Sequence, residues 1–265
     1  MLNWLKTLLG LRRAPPDRLP EALWLGALLR YPFLAHRSIA ELQQLRAMIV
    51  QFLKHKEFSG AHGLKVTDEM AVAIAAQACV PVLHLGLRWY DDFTGIVIHA
   101  GAMLASREKT DRAGVVHRYS EALLGEAMQG GPVTLSWQDV AAAGELADAG
   151  HNVVIHEFIH KIDMRNGLAD GCPPLPSRKA HAAWHSVMQP AYDNFCEQVA
   201  MATRFGGEAP WLDGYGASSA AEFFAVSCEA YFVNRERFTQ DFPALTVLFD
   251  QFFKPDRPVV QQVRL

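Results

Sequence analysis

Cysteine is scarce in this chain: Cys79, Cys172, Cys196 and Cys228 are spread over 265 residues. No two of them stand in C-x-x-C spacing, so neither a disulfide framework nor a four-thiolate zinc site is expected, and the pattern suits a reducing cytoplasm. A basic excess is missing too, since 25 Lys and Arg stand against 28 Asp and Glu, a net charge of −3. That balance leaves no strong electrostatic hold on a phosphate backbone, so no direct nucleic-acid ligand is expected. No uninterrupted apolar run reaches the roughly 20 residues of a membrane span. Residues 1–13 have an apolar face, but Lys6 interrupts it, no positive n-region precedes it and no small-residue cleavage site follows. They are read as a docking or frayed terminal helix, not as a signal peptide, with a helix lying on a membrane or a partner the alternative. No internal repeat is visible.

What is present is a hydrophobic fraction of 50%, enough for a sizeable core. The expected fold is α+β, mainly helical, with a small sheet beside one central helix. Residues 1–60 are read as a helical segment packed on a catalytic domain at 61–265, the two forming one continuous domain. Apolar spacing of three and four marks helices at 21–30 and 38–53, after a proline-rich linker at 14–20. Residues 55–63 are polar and end in Gly60-Ala61-His62-Gly63, which reads as a loop. Thr67 heads an alanine-rich buried helix reaching about Cys79, with Asp68 and Glu69 favouring the dipole of its first turn. Between 83 and 137 the period shifts toward two, and 95–99, 115–119 and 132–137 read as strands of one small sheet. Residues 133–136 are the candidate for its edge, along which a peptide would add as a further strand, with an interior strand the equal alternative.

The strongest signal follows that sheet. His156-Glu157-Phe158-Ile159-His160 matches H-E-x-x-H, in which two histidines one helical turn apart hold one zinc ion. At about 100° per residue, Val154, Ile155, Phe158, Ile159 and Ile162 form one apolar arc, while His156, Glu157, His160 and Asp163 lie on the other side. The helix is expected to bury the first side and turn the second toward a cleft. Glu157 is then placed to take a proton from a zinc-bound water. Asp163, one turn past His160, is placed to accept an imidazole proton and fix its tautomer, unless it is only a solvated helix-end acid.

Downstream, Ser177 caps a long helix reaching about Arg204, kinked or interrupted at Pro190. Its His181 and His185 repeat the i,i+4 spacing without a glutamate between them, and are read as surface histidines, not a second metal pair. A catalytic zinc takes a third protein ligand, and a helix beginning near Ser218 offers Glu222 and Glu229, seven residues apart and nearly eclipsed on one face. Glu222 is expected as the ligand and Glu229 as the group that orients a neighbour, with Glu229 as ligand the alternative. Ser219-x-x-Glu222 is also a capping box. A deformylase-like hydrolase would instead need a cysteine ligand such as Cys172 or Cys228, and the carboxylate pair fits better. Tyr215, seven residues ahead of Glu222, is either an oxyanion donor or ordinary aromatic packing. Residues 242–253, rich in Phe and Leu, read as core packing more readily than as a partner surface.

The motif helix, with Gly150-His151-Asn152-Val153-Val154-Ile155 before it and Gly214-Tyr215-Gly216 and Ala221-Glu222-Phe223-Phe224-Ala225-Val226 after it, resembles the Mlc titration factor A family from about Pro20 onward. The resemblance implies a cytoplasmic, zincin-like zinc peptidase of aminopeptidase type, its catalytic part similar to the anthrax lethal factor protease. It also implies binding to the glucose-responsive transcriptional repressor Mlc. By the same resemblance one zinc ion falls to His156, His160 and Glu222, the general base to Glu157 and the active-site tyrosine to Tyr215. A different class stands beside it: a non-catalytic zinc-binding anti-repressor that acts by sequestration.

Overall fold

The computed structural model describes residues 18–110, 116–123 and 125–255. The helix expected at 1–13 and Val115 of an expected strand lie outside them. α1 (Glu21–Arg30) and α2 (Ile39–His55) follow the apolar spacing. Ser38 closes a capping box on α2: its hydroxyl accepts from the Glu41 N–H at 3.3 Å, while the Glu41 carboxylate accepts from the Ser38 N–H at 2.9 Å. The segment read as a loop at 55–63 holds a strand instead, β1 (Glu57–Gly60), and a 3-10 turn. β1 is an edge strand that buries only Phe58 of its four residues, so its composition carries little apolar signal. α3 (Asp68–Ala78), capped by Thr67, is buried from Met70 to its end, and its alanines let neighbours approach on all sides.

β1 pairs in parallel with β2 (Gly95–His99). β3 (Met103–Thr110) and β4 (Val116–Leu123) pair antiparallel with each other, so the strand expected at 115–119 belongs to a separate two-stranded ribbon. β5 (Gly125–Ala127) and β6 (Val133–Ser136) complete a four-stranded sheet in the order β1-β2-β6-β5, parallel except for β5. β6 is thus an interior strand with neighbours on both sides, and the expectation that 133–136 forms the edge is corrected. The edge on that side is β5, whose three residues are too few to carry a period-two signal.

α4 (Trp137–Ala142) leads to α5 (Val153–Asp163), the motif helix. Asn152 starts α5, its Oδ1 accepting from the Ile155 N–H at 2.9 Å. The apolar arc is fully buried: Phe158 lies 4.9 Å from the ring of Tyr90, 5.7 Å from Phe52 and 5.8 Å from Phe93. Lys161 is also fully buried, donating to the Met128 carbonyl at 2.8 Å and the Gly131 carbonyl at 3.2 Å, with Asp92 at 3.6 Å. It ties α5 to the β5–β6 turn.

α6 (Arg178–Phe205), capped by Ser177, continues as one helix through Pro190. α7 (Ala220–Val233) is buried without interruption from Phe223 to Tyr231, which explains its apolar composition on every side. α8 (Arg235–Asp241) and α9 (Pro243–Phe253) close the fold, and Trp184 of α6 packs 5.3 Å from Phe224 and 5.9 Å from Phe249. One buried apolar cluster extends from Leu19 to Phe253. Among the described residues no helix is long and apolar enough to cross a membrane.

Replacing Lys161 with Ala strips two carbonyls of their cationic donor and leaves Asp92 with Arg165 at 3.5 Å. The expected loss is about 3 kcal/mol of unfolding free energy in urea titration; a loss within error would mean that the lysine is not the tie between α5 and the turn.

Candidate metal centre

α5 and α7 pack side by side, and the ionisable residues of each meet at the contact. His156 and His160 have ring centroids 4.8 Å apart and Nε2 atoms 3.1 Å apart. From the first turn of α7, Glu222 Oε2 lies 3.0 Å from His156 Nε2 and 3.2 Å from His160 Nε2. The three donor atoms form a nearly equilateral triangle. Tetrahedral donors at metal bonds of about 2.0 to 2.2 Å sit roughly 3.3 Å apart, so these three stand close to the spacing one ion requires. Ser219 accepts from the Glu222 N–H at 3.2 Å, but the Glu222 carboxylate turns to the imidazoles instead of back to the Ser219 N–H. Only half of the capping box forms.

Two turns further along α7, Glu229 Oε1 lies 2.7 Å from His156 Nδ1 and its Oε2 accepts from the Asn152 N–H at 2.5 Å. With the proton on Nδ1, the Nε2 lone pair faces the triangle. The Asn152 side chain donates in turn to Gln77 Oε1 of α3 at 2.8 Å. Burial works against charge on His156, yet Glu229 and Glu222 outweigh it and hold its pKa well above the usual imidazole range. Burial likewise opposes charge on Glu222, and hydrogen bonds from the two imidazoles outweigh it, holding that carboxyl far below its ordinary value. A cation among the donors takes over the charge-balancing role of the imidazole protons.

Glu157 is buried beside this triangle, and its pKa is raised, first by burial and then by Glu222 and Glu229, with the two histidines opposing. Gly125 of β5 leaves it room: a Cβ there would lie 2.5 Å from Glu157 Oε1. Tyr215 sits on a 3-10 turn (Gly214–Ser218) fixed by the Asp213 carboxylate, which accepts from the Tyr215 N–H at 2.9 Å. Its ring centroid is 6.2 Å from that of His156. Gly125, Asp139, His156, Glu157, Asp213, Tyr215 and Glu229 line one cleft of about 470 Å³.

Asp163 is elsewhere. Its side chain is fully buried, Oδ2 accepts from the Gly171 N–H at 2.8 Å, and Oδ1 has no hydrogen-bond partner. No hydrogen bond joins it to either imidazole, and the loop after α5 supplies its donor; burial pushes its pKa up to about 6, with His160 among the groups that oppose the rise. Cys172 does not reach the triangle and lies with its Sγ 3.5 Å from His181 Nδ1. Asn152 and Gly125 were not singled out from sequence. Asn152 carried a signal, an N-cap residue immediately before an apolar-periodic run, whereas Gly125 carried none.

An H-E-x-x-H helix whose imidazoles meet a carboxylate from a second helix above an open cleft is the arrangement of a metallopeptidase. The chain belongs to the glucose-regulated metallopeptidase M90 family, whose sequence profile matches residues 6–254. It is similar to proteins named Mlc titration factor A. The Klebsiella pneumoniae protein is 35% identical over 237 residues, covering 89% of this chain and 87% of that one. The Serratia proteamaculans protein is 36% identical over 245 residues, 92% and 90% of the two chains, and that of Yersinia pestis 35% over 236 residues, 89% and 85%.

Glu222→Gln is expected to release the metal under chelator competition, whereas a residue that only capped α7 would leave the stoichiometry unchanged. Glu229→Gln should keep the ion but weaken its affinity by about 10- to 100-fold, as loss of a histidine-orienting carboxylate does; unaltered affinity would remove Glu229 from the centre.

Proposed function

We propose that this chain is a zinc-dependent peptidase of aminopeptidase type with a zincin-like catalytic part, similar to that of the anthrax lethal factor protease, and that His156, His160 and Glu222 hold one zinc ion. The observation that carries the reading is the convergence of these three donors within 3.2 Å of one another, with buried Glu157 on the same cleft. A zinc ion bound there supplies Lewis acidity to a substrate carbonyl and to water. Glu157 takes the proton from the attacking water and delivers it to the leaving amine. Its raised pKa makes it a stronger base than an exposed carboxylate. The Tyr215 phenol donates to the oxyanion that forms. Among the described residues no further strand pairs with β5, and its outer edge, beside Glu157, suits a peptide lying in extended form along the sheet. Asp139 and Asp213 add two carboxylates to the cleft wall, which suits a free ammonium terminus.

Binding to the repressor Mlc is part of the proposal and rests on the name of the relatives, each a Mlc titration factor A. A cytoplasmic location agrees with four free thiols, of which Cys79 and Cys228 are fully buried. The sequestering anti-repressor is the second reading, and no observation favours it over catalysis.

Hydrolysis of a peptide library should require zinc, stop with chelator, and fall sharply when the amino termini are acetylated; equal cleavage of blocked peptides would exclude aminopeptidase specificity. Glu157→Gln should retain zinc and lose activity by several orders of magnitude, and Tyr215→Phe should lower kcat about 100-fold at full metal content. A normal turnover number in either variant removes that residue from the mechanism. Gly125→Val should displace the Glu157 carboxylate and depress kcat while zinc content holds; full activity would mean that β5 does not set the position of the base.

A further inference from the structure

A second group of metal-type donors shares no residue with the first. Cys172 Sγ lies 3.5 Å from His181 Nδ1, and a ring nitrogen of His185 completes a group whose members all stand within 4.8 Å of one another. The two histidines sit one turn apart near the start of α6, so their rings leave the helix on the same side. Cys172 lies in the loop between α5 and α6 and is fixed by its neighbours. The Gly171 N–H donates to Asp163 at 2.8 Å, the Gly171 carbonyl accepts from Trp184 Nε1 at 2.8 Å, and the Cys172 N–H donates to Asp170 at 2.9 Å. Gly171 adopts φ +83°, and a Cβ there would lie 2.5 Å from the Ala220 carbonyl oxygen, so glycine is needed for the loop to pass.

We propose that Cys172, His181 and His185 form a second metal site, for a single thiophilic divalent ion of the zinc type, with the remaining coordination position open to solvent. One thiolate and two imidazoles are a donor set that selects such an ion over magnesium or calcium. Tetrahedral bonds of about 2.3 Å to sulfur and 2.0 Å to nitrogen separate the donors by roughly 3.5 Å, the spacing of Cys172 and His181. His185 is exposed and lets the ion enter, while Cys172 is buried and anchors it. Burial, helped by Asp170 and Asp163, pushes the Cys172 thiol up to about 11. Those same carboxylates favour a cation beside the sulfur, which binds as thiolate once its proton has passed to solvent. Spacing along α6 alone makes the histidines a surface pair; the cysteine brought to them from the preceding loop turns the pair into a site. Since Gly171 is tied to α5 through Asp163 and to α6 through Trp184, an ion there clamps the loop at 167–176 onto both helices.

The test is metal stoichiometry on the full chain equilibrated with zinc and freed of excess by gel filtration. Wild type should hold two equivalents, and Cys172→Ser, His185→Ala and His160→Ala one each. With cobalt(II) as the probe, a thiolate-to-metal charge-transfer band should appear in wild type and in His160→Ala, and vanish in Cys172→Ser. No loss of an equivalent between wild type and His185→Ala, or cobalt loading without the thiolate band, overturns the site. His185 is exposed, so its substitution reports even if Cys172→Ser fails to fold. Loss of metal in His160→Ala alone bears only on the first centre.

Discussion

One carboxylate joins the two helices that carry the candidate metal centre. Glu229 of α7 bonds His156 Nδ1 with one oxygen and the Asn152 N–H, at the start of α5, with the other. A buried carboxylate is costly to leave unpaired, and so is a buried imidazolium, so sliding α7 along α5 by a single turn would strand both at a cost of several kcal/mol. The register of the two helices is set by the same contacts that aim the histidines. Through the Asn152 side chain and Gln77 the constraint extends to α3 in the middle of the core.

The opposite side of α5 supplies the rigidity that this geometry needs. Phe158 is enclosed by the rings of Phe52, Tyr90 and Phe93, drawn from α2 and the segment that precedes β2. Lys161 reaches from the same helix to the carbonyls of the β5–β6 turn. The edge strand, Glu157 and the donor triangle are therefore parts of one frame, which brings Gly125 against Glu157 without a flexible intermediary. Holding reacting groups on packed helices and strands is what keeps a site within a fraction of an ångström of its working arrangement.

Much of this was legible from residues alone, and where it was not, the reason is physical. Thr67, Ser177 and the apolar spacing after Ser38 located their helices because capping and helical period are properties of contiguous residues. β1 escaped notice since a strand satisfies its hydrogen bonds through a neighbour, here β2 some forty residues away, and needs few apolar side chains at an edge. The same dependence on neighbours left β6 open between edge and interior strand, and only the pairing of β5 beside it makes it interior. Asp163 fell on the polar side of a helical wheel, but a wheel does not include the chain that folds back afterwards, and the Gly171 N–H donates to one oxygen of this carboxylate.

The sequence by itself determined the donor types and their local phase: two imidazoles at i,i+4 on α5 and two carboxylates at i,i+7 on α7, each fixed by helical repeat. Only the tertiary structure decided that Glu222 faces both Nε2 atoms while Glu229 takes Nδ1, that Gly125 leaves space for Glu157, and that Cys172 lies beside His181. Each of those outcomes depends on segments that are not local to one another in a helix being held in register by packing, and no periodicity within a single segment encodes that register.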